Sequence, residues 1–305
     1  YDRNLIPVVR LQGPHGGSHW LKPPADSPGN YASIAQAYKR VVSALPRRDN
    51  RPRYVEVWNE PNLAIEWSGS PNPVEYGQFL VAVSSALRSL NDPRIVITNG
   101  ALSPGGEYNN LAFIDAMSGV PGALQAFDVW AAHPYPGNHP PQYNIHDGTA
   151  ARRELTIDSY LLELDRLAAH GRTGLRVLLT ETGYALGAND FAFEGYPPIE
   201  EGNRADYVSR AWRDYWSRWP EVLGVCPFEL VDPHGHWAIW DWLHTDGRHH
   251  AQFDSVAALD KRPVTTPSTL VITFRAIAGP AGGSFTSDVA VLSSAGAALA
   301  SAQGV

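Results

Sequence analysis

A chain of 305 residues is long enough for one large domain, or for one domain with an appendage. Its formal net charge of −7, with no basic run, argues against a nucleic-acid partner, and no apolar stretch has the length of a membrane span. The single cysteine, Cys226, excludes an intrachain disulfide, while 44% hydrophobic residues and ten tryptophans supply a sizeable core.

In chain order, Leu5 to Leu11 reads as a buried parallel strand with Pro7 near its start. A Gly/His loop and a Pro-rich stretch follow. Tyr31 to Leu45 carries apolar residues at helical spacing and stops at Pro46. Arg53 to Asn62 (Arg-Tyr-Val-Glu-Val-Trp-Asn-Glu-Pro-Asn) is a short β-prone run interrupted only by Glu56. Pro61 cannot continue a sheet ladder, so the strand is expected to end near Glu60. Asn72-Pro73 supplies a cap and a first-turn proline for a helix running to about Leu90.

The alternation continues with a strand at Arg94 to Thr98, a short helix at Asn110 to Met117, and a strand at Phe127 to Tyr135. A helix at Ile157 to His170 and a strand at Leu175 to Thr180 come next, the latter leading into Glu181-Thr182-Gly183-Tyr184. Arg204 to Trp219 reads as a helix, Val225 to Val231 as a strand, and Ser268 to Ala278 as a closing helix. From Gly279 the chain turns to Gly, Ala and Ser with one β-prone run, Asp288 to Leu292. Residues 1–278 are therefore expected to form one domain, and 279–305 a linker or the start of a further module.

Strands alternating with helices specify a parallel α/β sheet. No glycine-rich dinucleotide or phosphate loop is present, and no Gly-x-Ser-x-Gly elbow of an ester hydrolase. Polar groups stand at nearly every strand's carboxyl end, which suits a (β/α)8 TIM barrel better than an open sheet. Six strand-helix units are legible where a barrel has eight. Tyr1 is not a methionine and stands four residues before an apolar strand, so the expectation is a barrel lacking its first two βα units.

Glu60 and Glu181 each close a strand. In a barrel their strand ends would face one another across the mouth, as glycosidic hydrolysis requires: one carboxyl to protonate the leaving oxygen, one carboxylate to attack or to activate water. Val-Trp-Asn-Glu-Pro-Asn, then His-Pro-Tyr, then Leu-Thr-Glu-Thr-Gly, in that order, resemble the clan A glycoside hydrolases. The nearest likenesses are the cellulase-like family 5 and the xylosidase-like family 39, over Leu5 to about Ala278.

That resemblance implies Glu60 as acid/base at the end of strand four and Glu181 as nucleophile at the end of strand seven. It also implies retention through a glycosyl-enzyme intermediate, Asn59 on the substrate's 2-hydroxyl, and Tyr135 of His133-Pro134-Tyr135 orienting the nucleophile. The strand-eight tryptophan of the clan has no match in Cys226-Pro227-Phe228-Glu229-Leu230; Trp237 or Trp240 stands in the following loop. Arg10 is a candidate for the substrate or for a barrel-core carboxylate. His15 is a candidate lining residue, and Glu229 one for sugar hydroxyls; Asp232 reads as an acceptor of backbone bonds.

Histidines 234, 236, 244, 249 and 250 match no zinc spacing, so no metal or other cofactor is expected. The expected partner is a carbohydrate substrate, and the resemblance favours a secreted or cell-surface location. A non-catalytic carbohydrate-binding barrel, or an inactive fragment, is the competing expectation.

Overall fold

The computed structural model describes residues 6–47, 51–260, 271–277, 289–292 and 298–302. Its order is β1 (Ile6–Gln12), α1 (Ala32–Ala44), β2 (Arg53–Val57), α2 (Pro73–Arg88), β3 (Ile95–Asn99), α3 (Asn110–Ser118), β4 (Trp130–Ala132), α4 (Tyr160–Ala169), β5 (Val177–Thr182), α5 (Glu201–Arg210), β6 (Val222–Pro227), α6 (Ala251–Ala257), β7 (Val271–Ile277), β8 (Val289–Leu292) and β9 (Ala298–Ala302). One parallel sheet runs β3-β2-β1-β7 and a second runs β4-β5-β6, while β8 and β9 form an antiparallel hairpin.

Helix α2 begins where its cap predicts, with Asn72 Oδ1 accepting from the backbone N–H of Val74 and Glu75 at 3.1 Å each. Helix α5 runs on through a π-helical turn at Ala211–Trp216. Two expectations are corrected. The segment read as a closing helix at Ser268 to Ala278 contains strand β7, which pairs in parallel with β1 from Ile6↔Val271 to Gln12↔Ile277. Its β-branched run, Val271-Ile272-Thr273, favours a pleated strand over a helix. The strand read as reaching Glu60 stops at Val57, because Trp58 turns the backbone to a φ of 80°. Helix α6, absent from the sequence reading, follows β6. The β-prone run in the tail contains β8, and residues 278–288 lie outside the described set.

The strands bury both faces. Outward side chains, among them Val9, Val55, Ile97, Trp130, Leu179 and Val225, pack into the main core under the helices. Inward ones from β1, β2, β5 and β6 (Val8, Tyr54, Leu178 and Cys226), with Val129 just before β4 and the partly buried Val96 of β3, form a second, smaller apolar cluster. The two sheets therefore curve toward a shared interior. Cys226 is buried in that cluster.

The seam between the sheets is narrow. One parallel bridge joins Thr98 and Val129. The Asp128 N–H donates to the Ile97 carbonyl at 2.8 Å, and side chains add to this: Asp128 accepts from the Ile97 N–H at 2.9 Å, and the Asn99 amide pairs with Ala131. There Asn99 Oδ1 accepts from the Ala131 N–H at 2.7 Å, while its Nδ2 donates to the Ala131 carbonyl at 3.0 Å. Among the described residues no ladder joins β6 to β7.

Candidate active site

Above the apolar plug, the inward positions of the strands turn polar. Parallel pairing sets Arg10 of β1 beside Glu56 of β2, and Arg10 Nε donates to Glu56 Oε2 at 2.8 Å. The other arm of the guanidinium crosses to the second sheet, where Nη1 donates to Glu181 Oε1 at 2.6 Å. Glu56 is fully buried and accepts from Thr180 Oγ1 at 2.8 Å and the Ala101 N–H at 3.3 Å. Arg10 thus holds a core carboxylate and the strand-end one together. Burial opposes its charge, but the attraction of Glu56 and Glu181 more than restores it.

Glu60 and Glu181 come together from separate sheets. Glu60 follows β2 in a backbone bent to a φ of 35°, and both its neighbour Trp58 and Glu60 itself occupy the left-handed region that side chains disfavour. Trp58 is anchored by its fully buried ring, whose Nε1 donates to the Glu66 carbonyl at 2.8 Å. His133 lies between the two glutamates, with Nδ1 2.9 Å from Glu60 Oε1 and 3.8 Å from Glu181 Oε2. Its Nε2 is 3.1 Å from Thr180 Oγ1. Tyr135 donates its hydroxyl to Glu181 Oε2 at 3.0 Å. The two carboxyl side chains keep 15% and 14% of their surface exposed, so each can meet a ligand.

The electrostatics of Glu181 follow from these partners. Burial would push its carboxyl up, but the charges of His133 and Arg10 and the bonds from Arg10 and Tyr135 reverse that and hold it at about 2. Burial likewise lowers His133, and the charge of Glu181 with the bond to Glu60 raises it overall. Tyr135 is pushed well above its ordinary range by burial and by the same two carboxylates.

One donor atom each from Glu60, His133 and Glu181 lies within 4.8 Å of the others, a set of the kind that can ligate a metal. The carboxylate oxygens of Glu181 already accept from Arg10 and Tyr135, and the Arg10 guanidinium supplies a fixed positive charge beside the set. Of the late-loop histidines, His244 and His250 stack with ring centroids 3.8 Å apart, His249 meets Asp254 and His250 also meets Glu201, while His234 and His236 stand with ring centroids 6.3 Å apart.

The remaining candidates fall at different depths. Asn59 is buried, and its Oδ1 has no hydrogen-bond partner among the described residues. Glu229 follows β6; its Oε1 is buried without a partner, and burial followed by the charges of Asp232, Asp241 and Glu181 pushes its carboxyl up to about 7. Asp232 accepts from the backbone N–H of His234 and Trp237. Trp240, not Trp237, meets Tyr135, edge-on at 5.0 Å. Gly183 permits this fit, since at its φ of 151° a Cβ would come within 3.1 Å of the Phe228 carbonyl and 3.6 Å of the Trp240 ring. Trp237 stands 55% exposed further along the loop. His15 is exposed, packs edge-on against Trp20, and makes no bond to either glutamate.

Sequence reasoning did not single out Thr180, and it treated Glu56 only as an interruption of a β-prone run. The signal for Glu56 was there: a carboxylate inside an apolar strand needs a buried cation, and Arg10 sits in the one preceding strand.

No family model and no curated protein sequence matches the chain. Solved structures do. A family 39 glycoside hydrolase from the gut symbiont Bacteroides cellulosilyticus superposes with a TM-score of 0.51 at 18% identity, over 83% of this chain and 50% of that one. A family GH128 endo-β-1,3-glucanase from Sorangium cellulosum gives 0.51 at 15% identity, over 84% and 82%. A glucosidase from Croceicoccus marinus gives 0.54 at 13% identity, over 82% and 48%. The chain spans about half the length of the first of these. At such identities the likeness to these three structures is one of fold alone.

Proposed function

We propose that this chain is a retaining glycoside hydrolase that cleaves β-glycosidic bonds with Glu60 as acid/base and Glu181 as nucleophile. The observation that carries the reading is the pair itself: two carboxyl groups whose oxygens approach within 4.8 Å, close to the roughly 5 Å that retention uses and short of the ~6.5 Å or more that inversion needs for its water. Their surroundings divide the roles. Arg10 and Tyr135 keep Glu181 ionised and aimed, as a nucleophile must be. Among the described residues Glu60 has His133 as its one side-chain partner, on Oε1, which leaves Oε2 open to a leaving group.

In the first step Glu60 protonates the glycosidic oxygen as Glu181 attacks the anomeric carbon. The glycosidic bond breaks, and an ester to Glu181 forms. In the second, Glu60 as carboxylate takes a proton from water, whose oxygen attacks the same carbon and releases Glu181. Asn59, with its free Oδ1, and Glu229, with its unpartnered Oε1, accept hydrogen bonds from sugar hydroxyls. The fold likeness to a family 39 hydrolase and to a β-1,3-glucanase supports a carbohydrate substrate. In the same reading β1 to β6 correspond to strands three to eight of a (β/α)8 barrel, which puts Glu60 after the fourth strand and Glu181 on the seventh.

The test is hydrolysis of a panel of aryl β-glycosides by wild type, Glu60→Gln and Glu181→Gln, with product anomers followed by NMR. The β-anomer should appear first, and each substitution should lower kcat by about 100-fold or more. First appearance of the α-anomer would remove Glu181 as nucleophile. Glycan binding without turnover would establish a binding barrel instead.

A further inference from the structure

A row of aromatic rings leads out of the candidate site. It begins at Tyr135, whose hydroxyl is bonded to Glu181. Tyr135 meets Trp240 at 5.0 Å between ring centroids, Trp240 meets Phe228 at 6.2 Å, and Phe228 meets Trp237 at 6.2 Å, each pair edge-to-face. Three of these rings are enclosed to differing degrees, but Trp237 is 55% exposed. An indole left in water at the end of such a row needs a reason, since burying it would have stabilised the chain.

The exposure is built. Trp237 is held by its own backbone N–H, which donates to Asp232 Oδ2 at 2.7 Å, and the Asp232 N–H is held in turn by Asp241 Oδ1 at 2.8 Å. The loop is pinned again where the Ile239 carbonyl accepts from Leu186 N–H at 2.9 Å and from the buried Arg204 at 3.0 Å. The backbone that carries the ring is therefore held in place, and a ligand that stacks on it meets little cost of ordering the loop. A pyranose ring has the matching chemistry: an apolar face of C–H groups and a polar edge.

We infer that Trp237 forms an outer subsite binding a sugar of a β-linked oligosaccharide on the glycon side of the cleavage point. The side follows from the topology and rests on the roles proposed above for Glu60 and Glu181. The leaving group departs on the side of Glu60, which follows β2. The row starts at the carboxylate of β5 and runs into the loop after β6, one strand further from β2 in the order β2-β3, then β4-β5-β6. The preferred substrate is accordingly a chain, not the glycoside of a single sugar.

The experiment uses the full chain and 4-nitrophenyl β-glycosides of one, two and three glucose units, β-1,3- and β-1,4-linked, which share one leaving group. In wild type kcat/KM should rise with glycon length. In Trp237→Ala the ratio of kcat/KM for trisaccharide over monosaccharide should fall on the order of tenfold, with Trp237→Phe recovering part of it. Thermal unfolding of both variants separates this from misfolding, since a fold defect would lower all three substrates together. Calorimetry with laminaritriose and cellotriose on Glu60→Gln adds an arm that needs no turnover: Trp237→Ala in that background should weaken binding by a similar factor. If turnover depends on both glutamates yet neither the ratio nor the affinity moves, the subsite is wrong and the hydrolase reading stands. If nothing is hydrolysed but trisaccharide binding depends on Trp237, the ring is a sugar platform, and the hydrolase reading fails together with the assignment of a glycon side. A change confined to the leaving-group side, seen as altered transfer to added sugar acceptors with the glycon ratio intact, overturns the assignment of side.

Discussion

At the residue scale, the site is a set of charges arranged so that each has a partner and two remain within reach of a ligand. Arg10 is the pivot, with its guanidinium nearly buried between Glu56 and Glu181. Arg10→Met should cost about 3–5 kcal/mol in urea unfolding, because two carboxylates would be left in the interior without their cation. Tyr135 offers a milder test. Glu181 is held near 2, below the ordinary carboxyl range, so its contribution to stability is complete above that ordinary value and is lost as pH falls toward 2. Tyr135→Phe removes one of the bonds that depress it. The acid limb of kcat/KM should then move to higher pH, and kcat/KM should fall roughly 10-fold or more. An unmoved acid limb would show that the phenol does not set the ionisation of Glu181. The two glutamates were legible in the sequence because Asn-Glu-Pro and Glu-Thr-Gly are local signals. Thr180 was not, because its role is defined by Glu56, 124 residues away, and only the strand packing brings the two together.

At the scale of elements, helix α4 carries a carboxylate where a core residue is expected. Glu163 is buried, accepts from Trp130 Nε1 of β4 and from Asn110 Nδ2 of α3 at 2.7 Å each, and is pushed up to about 7 by burial. A folded-state value above the free one favours the protonated form, so this stabilisation is present below the free value near 4.5 and is lost as pH rises through 7. His146 acts in the same direction. Burial opposes its charge, but Asp158 at 2.6 Å and Glu221 at 2.8 Å outweigh that and raise it. Its contribution is full below its ordinary value of 6.5 and fades as pH climbs past its raised one. Thermal unfolding should therefore show a Tm that declines from about pH 5 to pH 8, and Glu163→Gln should flatten that slope and raise Tm at the upper end. A slope unchanged in the variant would clear Glu163 of any part in it. Helix α2 was readable from its Asn-Pro start because capping is local. β7 was misread because apolar residues at 271, 272, 274, 276 and 277 satisfy a helical spacing as readily as a strand, and only the β-branched content separates them.

At the scale of the whole molecule, the fold is two parallel sheets that share an interior and meet at a seam. The alternation of strands and helices, and the polar strand ends, were enough to anticipate a parallel α/β architecture. The seam was not anticipated, because nothing in the sequence says that Asn99 will bond to a backbone 32 residues on in place of a ladder. Asn99→Ala would strip partners from both backbone groups of the buried Ala131 and should destabilise the protein by about 2–4 kcal/mol, measured by denaturant unfolding. Asn99→Asp keeps the bond from the Ala131 N–H but sets a carboxylate against the carbonyl, so it should recover only part of that loss. Equal losses in the two would mean that the acceptor bond carries no weight.

The seam also works as a calliper. Glu60 follows a strand of one sheet and Glu181 lies in a strand of the other, so the gap between the proposed acid and nucleophile depends on how the two sheets sit. A slide of one strand residue along the seam, about 3.3 Å, set at right angles to a 4.8 Å gap, would stretch it to about 6 Å, past the roughly 5 to 5.5 Å at which retention works. On the proposed chemistry, the reach between acid and nucleophile depends in part on the bonds that Asn99 makes across the seam to Ala131.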